Sequence, residues 1–182
     1  AWTCTLMQGS GTFSVESAVG SLLPRNGRFA VITNGAYGER MITIAEMLGI
    51  DVLPIRFAEN EPARADVVER VLAEANDVHT VGIIHCETTT GLANDVAAIG
   101  PVVKAAGKTF LIDAMSSFGG WQADWDQLGA DVLISSANKC IEGVPGFGFV
   151  LARRNLMEAA ADGGWPRSHS LDLIDQWHGF EK

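Results

Sequence analysis

A chain of 182 residues with a 47% hydrophobic share is long enough for one domain built around a sizeable core. Its formal net charge of −9 argues against general nucleic-acid binding, which needs a basic face, yet leaves room for a local site that takes a small anion. No apolar run approaches the length of a bilayer span and residue 1 does not open a signal peptide, so no membrane partner is expected; the missing initiator Met points to a processed or truncated chain.

Met7-Gln-Gly-Ser-Gly-Thr12 is a glycine-rich turn ahead of a helical pattern carried by Val15, Ala18, Val19, Leu22 and Leu23. Ser10 or Thr12 is the expected cap. The turn reads either as a plain capped turn or as a phosphate cradle, because free amides and the helix dipole both favour an anion there. A dinucleotide fingerprint fails, since Ser14 stands where the third glycine belongs.

Arg28 to Asn34 reads as a buried strand, and Gly35-Ala-Tyr-Gly38 as a turn into a helix through about Leu48. Tyr37, the only tyrosine, is placed either to lie flat on a planar ligand or to pack at the core's rim. Asp51 to Phe57 is a short strand whose Pro54 favours an edge or bulge. Glu61 to Asn76 gives a helix with Val67, Val68, Val71 and Leu72 as its apolar face. His79 to Cys86 is a strand ending at Glu87-Thr-Thr-Thr-Gly91, where the hydroxyls either hold a polar ligand or cap the helix from Asp95 to Ala106.

Thr109-Phe-Leu-Ile-Asp113 is a strand apolar until its last residue, which sets a carboxylate at the edge of a buried sheet. It needs a cation, a hydrogen-bond donor or nearby backbone amides. Asp131 to Ile134 runs into Ser-Ser-Ala-Asn-Lys139 and a glycine-broken turn, followed by a strand from Gly146 to Leu151 and a helix from Arg154 to Ala161. Lys139 reads as a surface lysine on its own, and as a desolvated nucleophile in the company it keeps. Cys4, Cys86 and Cys140 are odd in number without a CxxC pair, which suits reduced thiols in a cytoplasmic protein. His79, His85, His169 and His178 show no metal-ligand spacing.

Strands alternating with helices imply an α/β fold with a mainly parallel sheet, whose ligand sits at the carboxyl ends of the strands. Gly11, Tyr37, Thr88 to Thr90, Asp113 and Lys139 all fall at such ends. An anion cradle, an aromatic face, a carboxylate and a lysine together describe a site for pyridoxal 5′-phosphate.

The chain also resembles the fold-type I, class V pyridoxal-phosphate aminotransferases. The matching stretches are Met7 to Glu16, Asn34 to Arg40, His85 to Gly91, Asp113 to Gly120, Ser136 to Cys140 with Gly143 to Gly148, and Ser170 to Trp177. The resemblance implies an α/β/α large domain over residues 1–162 and, over 163–182, a connecting segment toward a C-terminal domain. It implies that Lys139 carries the cofactor, Asp113 partners the pyridine nitrogen, and Ser10, Gly11 and Thr12 bind the phosphate with help from Asn138. Tyr37 would stack on the ring, Thr88 or Thr89 would approach its 3-hydroxyl side, and Met115 would pack on the opposite face. The implied substrates are 2-aminoethylphosphonate and pyruvate, and the implied assembly is a homodimer. The alternatives are a glyoxylate-using transaminase of the same class, or a cofactor-binding portion without turnover. Asn138 stands before the lysine where cysteine desulfurases usually show histidine.

Overall fold

Strands and helices alternate along residues 1–182, all of which the computed structural model describes. The order is β1 (Trp2–Gln8), α1 (Gly11–Leu22), β2 (Arg28–Thr33), α2 (Ala36–Met47), β3 (Val52–Arg56), α3 (Ala65–Glu74), β4 (Val78–Ile84), α4 (Val96–Ala105), β5 (Thr109–Asp113), β6 (Val132–Ser136), β7 (Phe147–Arg153), α5 (Arg154–Asp162) and α6 (Leu173–Phe180). One seven-stranded sheet runs in the order β1-β7-β6-β5-β4-β2-β3. The pairs β3–β2, β2–β4, β4–β5 and β5–β6 are parallel, and β7 is antiparallel to both its neighbours. The sheet is therefore mixed, with the expected parallel centre. Pro54 lies on β3 at the sheet's edge, where its missing N–H costs no ladder bond.

The alternation of side chains along each strand sorts the core into two layers. Val31, Leu111 and Ile134 face α1, α2, α5 and α6, while Ala30, Ile32, Phe110 and Ile112 face α3 and α4. No helix is long and apolar enough to cross a membrane.

Four elements differ from the sequence-based expectation, one of them α3, which starts at Ala65 rather than Glu61 and ends at Glu74 rather than Asn76. β1 was not expected, because its buried face is Thr3, Thr5 and Met7 while Cys4 and Leu6 lie exposed, so the apolar pattern along it is inverted. The helix α2 starts at Ala36, one residue before Tyr37, so Tyr37 belongs to the helix's first turn. Residues 163–182 carry α6, capped by the Asp172 carboxylate, which accepts from the amides of Ile174 and Asp175 at 2.9 and 3.0 Å. Leu173, Ile174 and Trp177 of α6 are buried in the same core layer as α1. Arg167 ties this segment down, donating to the carbonyls of Leu23 and Pro24 at 2.7 and 2.8 Å where α1 ends.

Candidate active site

β1 runs parallel to β6, so β1, β2, β4, β5 and β6 all end at one edge of the sheet, and the loops leaving them enclose a cleft of about 180 Å³. Ser10, Gly11 and Thr12 enter it from β1, Tyr37 from β2, and Thr88 from β4; Asp113 and Met115 enter from β5, and Asn138 and Lys139 from β6. Each of the expected site residues lines the cleft except Thr89, which is exposed outside it.

At the α1 end, Ser10 holds the N-cap position with φ −82° and ψ 170°, but its hydroxyl makes no cap bond. The Phe13 amide donates to the Ser10 carbonyl at 2.9 Å, while those of Gly11 and Thr12, which a helix leaves without internal partners, stay available beside the hydroxyls of Ser10 and Thr12. Gly11 matters for space: a Cβ there would stand 2.6 Å from the Met115 sulfur, so the thioether lies against the bare backbone of the turn.

Asp113 closes the floor. Its side chain is almost wholly buried, and one oxygen accepts from the Met115 amide at 2.9 Å. No protein donor reaches the other oxygen. Burial pushes the carboxyl from 3.8 to about 7; the Met115 amide opposes this, the Glu87 charge adds to it, and Lys139 again opposes it. Such a group wants a cationic N–H partner.

Lys139 is half-buried on the connection from β6 to β7. That connection turns tightly, with the Glu142 amide bonded to the Lys139 carbonyl at 2.8 Å and the Gly143 amide to the Ala137 carbonyl at 2.7 Å. Thr88 and Ser116 share a hydroxyl bond of 2.7 Å, and the Cys140 thiol donates to the Ser116 carbonyl at 3.4 Å. The loops after β4, β5 and β6 are thereby laced together around the cleft. The buried His85 is occupied by the Ser117 hydroxyl at 2.8 Å and by the edges of Trp121 and Trp125, and burial holds its pKa below the ordinary value.

Sequence reasoning missed three groups here. Ser136 lines the cleft from the end of β6. Arg40 also lines it, its guanidinium 4.7 Å from the centre of the Tyr37 ring. Glu87 is completely buried directly beneath, its carboxylate on the amides of Tyr37 and Gly38. The rule that singled out Asp113, a carboxylate just past a buried strand, would have found Glu87 too.

Comparison with known proteins agrees with this geometry. The aminotransferase class-V family model matches residues 6–173. The chain belongs to that family. It is 52% identical over 180 residues to 2-aminoethylphosphonate–pyruvate transaminase of Bacillus cereus, and 51% identical to that of Bacillus anthracis. The match covers 99% of this chain and 49% of the Bacillus cereus protein, so this class-V chain spans about half the length of the curated relatives it matches. Among solved structures it superposes on ureidoglycine-glyoxylate aminotransferase of Bacillus subtilis with a TM-score of 0.90 at 19% identity, over 99% of this chain and 46% of that one. Pyridoxamine-pyruvate aminotransferase of Mesorhizobium loti gives 0.81 at 22% identity, over 97% and 53%. At those identities the likeness speaks for the fold alone.

Proposed function

We propose that the chain is the cofactor-binding half of a pyridoxal-phosphate-dependent transaminase that takes 2-aminoethylphosphonate and pyruvate to phosphonoacetaldehyde and L-alanine. The observation that carries the cofactor is Asp113: a buried carboxyl with one oxygen unpartnered, in the same cleft as a half-buried lysine. The substrate pair rests on 52% identity across nearly the whole chain.

The residues suit the group. The free amides of Gly11 and Thr12 at the start of α1, with the side chains of Ser10, Thr12 and Asn138, offer donors for a phosphate. Tyr37 offers a ring face, Met115 the opposite wall, and Thr88 a hydroxyl for the ring's edge. When bound, the cofactor supplies an aldehyde that receives the amino group and a ring that accepts electrons. Asp113 would keep the ring nitrogen protonated, and that cation would in turn draw the carboxyl back to its charged form. Lys139 Nζ would hold the aldehyde before substrate arrives, then take a proton from the carbon bearing the donor's amine and return it. A homodimer belongs to the proposal: Phe13 on α1, Ile141 and Val144 after Lys139, and Phe147 at the start of β7 stay exposed on segments flanking the cleft, and a second copy would cover them.

The test is alanine formation by the protein supplied with pyridoxal phosphate, pyruvate and 2-aminoethylphosphonate, against serine as the alternative donor with glyoxylate as acceptor. Alanine dependent on the phosphonate supports the proposal; turnover only with serine and glyoxylate overturns the substrate pair. One observation favours a second reading, a binding portion without turnover: the chain spans 49% of the relative's length. That reading requires cofactor binding with no alanine from any donor.

A further inference from the structure

We infer that Glu87 is the positioning residue that fixes Tyr37 over the cleft, acting through the first turn of α2. The inference rests on the proposed cofactor site for its purpose, although not for its geometry.

The start of α2 lacks an ordinary cap. Ser, Thr, Asp or Asn would normally supply an oxygen to the first-turn amides. Here the N-cap is Gly35, which has no side chain to give. The oxygen comes from another strand instead. Glu87 follows β4, and its two carboxylate oxygens accept from the Gly38 amide at 2.9 Å and the Tyr37 amide at 3.3 Å, across 49 and 50 residues of sequence. The carboxylate is fully buried and takes part in none of the chain's ion pairs. Its countercharge is the positive end of the helix dipole together with the two N–H groups.

Two glycines shape the space for this arrangement. A Cβ on Gly35 would stand 2.7 Å from Glu87 Cδ, and a Cβ on Gly38 would stand 2.3 Å from Thr33 Oγ1. The turn carrying Tyr37 is thus pressed onto β2 while the carboxylate holds it toward β4. Glu87 is itself anchored, since its amide donates to the Leu92 carbonyl at 2.9 Å and its carbonyl accepts from the Gly91 amide at 2.8 Å. Thr88 is the next residue and reaches the Ser116 hydroxyl. Glu87 therefore joins the two parts: its side chain holds the turn that carries the aromatic face of the cleft, and its backbone holds the loop that supplies the hydroxyl edge. Its charge also contributes to holding the Asp113 carboxyl up.

Glu87→Gln keeps the volume but replaces one acceptor oxygen with an NH2 group aimed at a backbone donor. Two measurements test the inference. In the free protein, amide-hydrogen exchange at Tyr37 and Gly38 should speed by about tenfold or more while the core strands stay protected. In titrations with pyridoxal phosphate, Glu87→Gln should weaken affinity by about tenfold, and the same change in a Tyr37→Ala background should cost little more. An equal loss in both backgrounds would overturn the inference, as would unchanged exchange at Tyr37 and Gly38. If the parent chain takes up no pyridoxal phosphate, the cofactor proposal fails and the exchange data alone judge Glu87. Should Glu87→Gln not fold, Glu87→Asp, which keeps the charge but falls short of the turn, is read by the same measurements.

Discussion

Replacing Asp113 with Asn separates stability from function at the centre of the site. Burial moves this carboxyl from 3.8 to about 7 in the folded chain. A folded-state pKa raised above the unfolded one means that the folded form binds the extra proton. The associated stability is fully present below pH 3.8 and is lost as pH rises through about 7. The whole displacement corresponds to about 4 kcal/mol, of which about 3 kcal/mol is lost between pH 5 and pH 8. Asn cannot ionise, and its oxygen can keep the bond from the Met115 amide. Its NH2 group is left without a partner, a pH-independent cost of about 1–3 kcal/mol. The stability of Asp113→Asn minus that of the parent should therefore rise by about 3 kcal/mol from pH 5 to pH 8, whatever the fixed cost. Urea unfolding of the cofactor-free chain, followed by tryptophan fluorescence at several pH values, measures that difference, in which the titrations of groups not coupled to Asp113 cancel. A difference that stays flat with pH would refute the reasoning that Asp113 is buried and unpaired in the free protein. The same variant should bind pyridoxal phosphate more weakly, having no carboxylate for the ring nitrogen.

Three further outcomes are expected. Lys139→Gln should leave the urea midpoint nearly unchanged and lower any alanine formation by about a thousandfold or more, since it removes the proposed proton carrier. Arg167→Ala should destabilise the chain by about 1–3 kcal/mol, because the bonds to the Leu23 and Pro24 carbonyls are lost, and limited proteolysis should then cut first between Gly163 and Leu171. Gly38→Ala should cost about 1–3 kcal/mol in urea unfolding, its methyl group meeting Thr33 and moving the turn that carries Tyr37.

The sheet's centre was readable because β2, β4, β5 and β6 are apolar runs that end in a polar residue or a glycine turn. Asp113 and Lys139 stood out for the same reason: a charge directly beyond a buried strand needs an explanation. β1 was hidden by its inward threonines, and α6 is too short for a helical period to emerge from Leu173, Ile174 and Trp177. Glu87 fits the rule that picked out Asp113, a carboxylate just past a buried strand; what the sequence does not record is its partners, the backbone amides of a distant helix. Arg40 falls one turn beyond Tyr37 on α2, a spacing that became informative only once the helix was seen to begin at Ala36.

The central claim is that Lys139 carries pyridoxal phosphate in a site floored by Asp113. Its most direct test is to load the protein with pyridoxal phosphate, record the visible spectrum, reduce with borohydride and map the modified peptide. A yellow complex whose reduced adduct lies on Lys139, and whose formation weakens in Asp113→Asn, is the predicted result. A folded sample that gives no adduct, or one whose adduct lies on Lys104, Lys108 or Lys182, would contradict it.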